Sequence, residues 1–113
     1  MKKLLLILLC LPLIGFGQIK PVKNYYNNGQ LKEEGYYKDK IPFGLYKSYY
    51  ENGNLKGGGN YKDGEKDGLW FTNNENGELE SKYNFKDGKK DGACKIFYEN
   101  GQLRIISEYK NDK

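Results

Sequence analysis

Hydrophobic and polar positions alternate with a period of two through much of the chain. Between Leu55 and Lys62 the odd positions carry Leu55 and Tyr61, and the even ones Lys56, Asn60 and Lys62. The same alternation returns with Leu79, Tyr83 and Phe85, and again with Leu103, Ile105 and Tyr109. It predicts β-strands with one apolar and one wet face. The strands between them hold Tyr46 and Tyr50, then Trp70 and Thr72, then Cys94, Ile96 and Tyr98 at even positions. Their odd positions add Tyr49, Phe71 and Phe97, so these strands have something to cover on both sides. Helix is excluded by recurrent glycine and by the want of a three-to-four apolar spacing.

The alternation is punctuated at a fixed interval. Asn28-Gly29, Asn52-Gly53, Asn76-Gly77 and Asn100-Gly101 follow one another every 24 residues, and Leu31, Leu55, Leu79 and Leu103 keep the same step. So do Tyr37, Tyr61, Phe85 and Tyr109, and Gly44, Gly68 and Gly92 with Tyr46, Trp70 and Cys94 two residues on. Markers sharing one interval define a repeat protein. The Asn-Gly pairs predict tight reversals, with glycine carrying a positive φ. Asp63-Gly64 through Asp67-Gly68, and Asp87-Gly88 through Asp91-Gly92, predict the second turn of each unit. The fold class is all-β: a single-layer antiparallel meander of repeated β-hairpins in an open, elongated, twisted sheet over residues 25–110. Residues 18–24 read as a flexible lead-in and 111–113 as a charged tail guarding the C-terminal edge. The glycines Gly35 and Gly57 to Gly59 would let an aromatic from a neighbouring strand lie across the backbone.

The first 17 residues stand apart. Lys2 and Lys3 precede an apolar run from Leu4 to Ile14, and Gly15 and Gly17 supply the small residues of a cleavage site. This reads as a secretory signal peptide cut before Gln18. The run falls short of the ~20 residues of a spanning helix. A lipoprotein signal at Cys10 lacks the small residue that processing needs in Ile7-Leu8-Leu9. The expected destination is periplasmic or extracellular. Lys2 and Lys3 are two of the 19 basic residues, so the remainder nearly balances the 15 acids. That balance argues against a nucleic-acid footprint. Cys94 is the only cysteine beyond the leader, and packing rather than a disulfide must hold the domain.

Chemistry is sparse. The chain has no histidine, the commonest general base and the usual zinc ligand. Asp63, Glu65 and Asp67 alternate like the opening of a calcium loop, but the twelfth position would be Asn74, and the equivalent turn has Lys89 at its centre. Aspartates suit turns by capping backbone N–H groups. Gly57-Gly58-Gly59 lacks the Gly-Lys-Ser/Thr of a phosphate loop. No catalytic residue, cofactor or metal is expected. Tyr46, Tyr50, Trp70 and Tyr98 share a face register and form either core or an aromatic binding face for a protein, a glycan or a lipid surface.

The stretches Tyr49-Tyr50-Glu51-Asn52-Gly53-Asn54-Leu55-Lys56 and Tyr61-Lys62-Asp63-Gly64-Glu65-Lys66-Asp67-Gly68-Leu69-Trp70 closely resemble the bacterial variant of the MORN repeat. The phrase recurs with drift from Tyr25, from Phe85 and from Phe97, so the likeness covers residues 25–110. The resemblance implies an elongated array of β-hairpins with a structural motif and no catalytic residue. It also implies roles as scaffold, dimerisation module or membrane-associating module, and many bacterial members are labelled antitoxin components. The leader argues against an antitoxin meeting its toxin in the cytoplasm; an immunity or surface-associated role suits export better. The first unit departs at Lys40, Pro42 and Phe43, and the third at Asn73 and Asn74.

The expected function is a non-catalytic exported module for protein–protein or cell-envelope contacts, with self-association through open sheet edges. The alternatives are an antitoxin or immunity-like protein, a carbohydrate- or lipid-binding surface, and an enzyme accessory using the carboxylate-rich turns.

Overall fold

A computed structural model describes residues 18–113, and the leader read at 1–17 lies outside the described residues. Nine strands form one antiparallel sheet: β1 (Ile19–Tyr25), β2 (Leu31–Lys38), β3 (Ile41–Pro42), β4 (Gly44–Tyr49), β5 (Leu55–Lys62), β6 (Glu65–Asn73), β7 (Leu79–Lys86), β8 (Lys89–Phe97) and β9 (Leu103–Tyr109). Their order in the sheet is β1-β2-β4-β5-β6-β7-β8-β9, with the two-residue β3 paired to β2. Apart from β4, which lies beside β2, each strand lies beside its predecessor in the chain, the meander that short turns impose. The sheet is open, so β1 and β9 have a neighbour on one side only.

Two kinds of turn alternate along its two long sides. On one side, Tyr50 N donates to Asn54 O at 2.8 Å and Gly53 N to Tyr50 O at 2.9 Å, closing a three-residue loop with Gly53 at φ 94°. Gly29, Gly77 and Gly101 hold the same conformation at φ 87–88°, so Asn28-Gly29, Asn52-Gly53, Asn76-Gly77 and Asn100-Gly101 all lie in these loops. On the other side the reversal takes two residues. Asp63-Gly64 and Asp87-Gly88 both have positive φ at each position, the mirror-image turn whose twist matches the strands it joins.

The structure departs from the pattern at three places. Asp67-Gly68 and Asp91-Gly92 lie inside β6 and β8, not in turns. The glycines still have φ 73° and 102°. Near each the register skips, between Gly58 and Asn60 and between Tyr83 and Phe85 of the facing strands, so the left-handed residues serve bulges. The expected lead-in at 18–24 is β1: Ile19 through Asn24 pair with Lys38 through Glu33. Pro21 is tolerated because this is an edge strand. The tail turns inward, with Lys90 N donating to Asp112 Oδ1 at 2.7 Å and Asp112 N to Lys90 O at 2.8 Å. Its hydrogen bonds go to β8 rather than to the outer edge of β9.

One layer can bury little. Among the described residues only Trp70, Cys94, Ser81, Gly57 and Gly58 are buried. The core is the apolar face of the sheet with a single ring, Trp70, at its centre.

Candidate functional site

The apolar face is assembled by size complementarity across strands. Tyr46 faces Gly59 on β5, Trp70 faces Tyr83 on β7, and Tyr83 faces Cys94 on β8. Glycine stands opposite Tyr46 and cysteine opposite Tyr83. A Cβ on Gly59 would run into the Trp70 indole, and one on Gly35 would come within 3.2 Å of the Tyr46 ring. Tyr46 and Trp70 therefore stack, with centroids 5.9 Å apart and planes at 28°. Tyr61 meets both edge-on, at 5.9 and 5.0 Å, and Phe85 continues the row 6.5 Å from Trp70. Each such pair is worth about 0.5–1.5 kcal/mol beyond the area it buries. The Trp70 N–H donates to Asn60 O at 3.0 Å, so its polar end is satisfied.

Lysines cap this row. Lys66 Nζ lies 4.7 Å from the Trp70 ring and 5.2 Å from Phe85, and Lys90 Nζ lies 4.5 Å from Tyr83 and 5.2 Å from Tyr109. An ammonium over an aromatic face is held by the ring quadrupole. The two lysines are one repeat apart and stand second in their strands, directly opposite Tyr61 and Phe85.

A second row links the Asn-Gly loops. The Tyr26 hydroxyl donates to Tyr49 O at 2.7 Å, and that of Tyr50 to Asn73 O at 2.6 Å, each reaching the next repeat. Asn28 Nδ2 donates to Glu51 O at 3.2 Å and Asn52 Nδ2 to Glu75 O at 2.9 Å. The row lapses in the third unit, where Asn74 replaces tyrosine and turns its Oδ1 inward to accept from Asn76 N and Glu78 N.

These rows divide the aromatic residues singled out in the sequence. Trp70, 8% exposed, is core, while the half-buried Tyr46 stacks on it and borders the opening at the first unit. Tyr50 is a link of the loop row, and Tyr98, 52% exposed, stands on the last loop with the Arg104 guanidinium over its ring. Cys94 is 2% exposed and carries a free thiol.

At the first unit the apolar face opens into a concavity of about 180 Å³, lined by Val22, Glu33, Tyr37, Pro42, Tyr46 and Tyr61 among others. Glu33 is held there by two donors, the Tyr46 hydroxyl at 2.8 Å and Asn24 Nδ2 at 2.9 Å. These hydrogen bonds, Tyr46's first, hold its carboxyl below the usual range. Burial, with the bond to Glu33, pushes the Tyr46 hydroxyl up to about 12. In the sequence Tyr37 stands out only as a repeat marker and Pro42 only as a departure of the first unit, and Glu33 not at all. Laying the units over one another position by position is the signal that joins them.

A family model described as the MORN repeat variant matches residues 19–39, 44–63, 66–87 and 90–111. The chain belongs to this family. Its four MORN repeats follow the hairpins of the sheet, and the first begins at β1, which places that strand within the array. MORN repeats are generally involved in protein or membrane binding and are not typically catalytic. No curated protein matches the chain closely enough to count as a relative.

Proposed function

We propose that this MORN array is an exported, non-catalytic module that works by protein contact, associating through its open sheet edges. The observation that carries the reading is the placement of exposed apolar side chains. Leu69 is the sole large one exposed in the middle of the described array; the others gather at its two ends. Ile19, Tyr25, Tyr36, Phe43 and Leu45 lie at the β1 end, and Tyr98, Leu103, Ile105 and Ile106 at the β9 end. An unpaired strand flanked by apolar side chains is a template for strand addition. Strand β9 presents that template with few charges, Arg104 and Glu108, whereas β1 carries Lys20, Lys23 and Pro21. Export rests on the leader read at 1–17.

Light scattering of the purified protein over a range of concentrations tests the reading, beside the edge variant Ile106→Lys. The expected result is an assembly that dissociates on dilution and is lost in the variant while the strand signal in circular dichroism persists. A monomer at every concentration, with no partner captured through β9, would overturn it. Export is checked by intact mass of the protein recovered outside the cytoplasm, which should begin at Gln18.

A further inference from the structure

The concavity in the first unit differs from its counterparts by two replacements that match. Positions 42, 66 and 90 are equivalent in the repeat: the first is Pro42, the others Lys66 and Lys90. Pro42 pairs with Tyr37 just as Lys66 pairs with Tyr61 and Lys90 with Phe85. In the second unit an ammonium therefore lies between Trp70 and Phe85. In the first, the equivalent rings are Tyr46 and Tyr61, and no lysine or arginine among the described residues lies over either of them. The second replacement is at positions 33, 57, 81 and 105, which hold Glu33, Gly57, Ser81 and Ile105. Of the three units compared at the cation position, the one that lacks the cation is the one that carries an anion.

We infer that the first-unit concavity is a receptor site for a lysyl ammonium supplied by another polypeptide. The molecule's own occupied copies identify the ligand chemistry: a butylammonium chain running from a strand onto two aromatic rings. Tyr46 and Tyr61 provide the ring faces, Tyr37 and Pro42 the apolar wall along the methylenes, and Glu33 the counter-charge at the end. Two neutral donors, Tyr46 and Asn24, fix the Glu33 carboxylate and leave it acceptor capacity for an incoming N–H. Lys32, next to Glu33 in the chain, lies over the Tyr26 ring, and its charge is the smallest of the influences on the Glu33 carboxylate. A fixed carboxylate beside aromatic faces suits a cation better than a neutral or anionic guest. The site lies within one chain and does not depend on association through the sheet edges.

The test is an amide NMR titration of the full chain with N-acetyl-lysine N-methylamide, compared with the same compound acetylated on its Nε, which removes the charge. Saturable shifts are expected at Gly35, Tyr37 and Tyr46, with binding about tenfold weaker for the acetylated compound, the scale of one charge-assisted contact. The substitution Pro42→Lys should fill the site from within and abolish the shifts, while Pro42→Ala leaves them intact. Glu33→Gln should weaken binding about tenfold, and it decides the matter if Pro42→Lys does not fold. Failure of the charged probe to saturate, equal response to the acetylated probe, or unchanged binding by either Pro42→Lys or Glu33→Gln would overturn the assignment. None of these outcomes touches the edge association, which is read by light scattering alone.

Discussion

Gly59 is where backbone chemistry and packing meet most closely. The Trp70 indole lies flat against it, so the absent Cβ is the space the ring occupies. Gly59→Ala should displace the ring, break its stacking on Tyr46 and destabilise the domain by about 2 kcal/mol, as overpacking does. Denaturant unfolding followed by Trp70 fluorescence measures this, and an unchanged midpoint would show the stack to be dispensable. Tyr46 and Glu33 set a pH dependence of opposite signs. Glu33 titrates below its ordinary value when folded. Its contribution is therefore present above the unfolded pKa and lost as pH falls through the folded one. Tyr46 is raised, to about 12. Its contribution is complete below the unfolded value of about 10 and lost as pH rises towards the folded one. Melting temperature should fall on both limbs; Glu33→Gln should flatten the acid limb and Tyr46→Phe the alkaline one.

At the scale of the element, each hairpin is a poor folding unit alone and depends on its neighbours. Two devices join them, the stacked rings on the apolar face and the tyrosine links along the Asn-Gly loops. Tyr50 and Tyr98 occupy equivalent positions, yet only Tyr50 has an acceptor in a following repeat, Asn73 O. Tyr50→Phe should therefore cost about 1 kcal/mol, the net worth of one hydrogen bond, while Tyr98→Phe should leave the unfolding midpoint unchanged. Equal effects of the two would show that the hydroxyl link contributes nothing. The first hairpin differs from the rest because Pro42 has no N–H to give a ladder. There the outgoing strand divides into β3 and β4 at Phe43, whereas β6 runs unbroken from Glu65 to Asn73.

Across the whole molecule, an open sheet distributes stability unevenly. Strands β5 to β8 have partners on both sides and contain the buried Trp70, Ser81 and Cys94. Strands β1 and β9 have one partner each, and β9 exposes Ile106 to 59%. Amide exchange should be slowest in β5 to β8 and fastest in β1 and β9, because end strands open without disrupting the central stack. Uniform protection would mean the array unfolds as a single unit. An assembly through β9 should slow exchange in that strand selectively, which ties this gradient to the proposed association.

The strand alternation, the repeat interval and the Asn-Gly loops were all legible in the chain, because side-chain period and turn chemistry are local properties. The resemblance to MORN repeats followed from the same local phrases. Even the laying of an aromatic across glycine was readable in outline. What locality could not settle was which of several equivalent residues faces a partner. Tyr46, Tyr50, Trp70 and Tyr98 share a register in sequence but become stack, link, core and exposed end through what stands on the adjoining strands. Asp67-Gly68 resembles a turn in composition, yet pairing with β5 makes it a bulge. Residues 18–24 carry little apolar patterning and form a strand because β2 offers them an open ladder. The Glu33 concavity likewise exists only where five strands meet at the first unit, since its rings and its carboxylate lie far apart along the chain and the sheet alone brings them together.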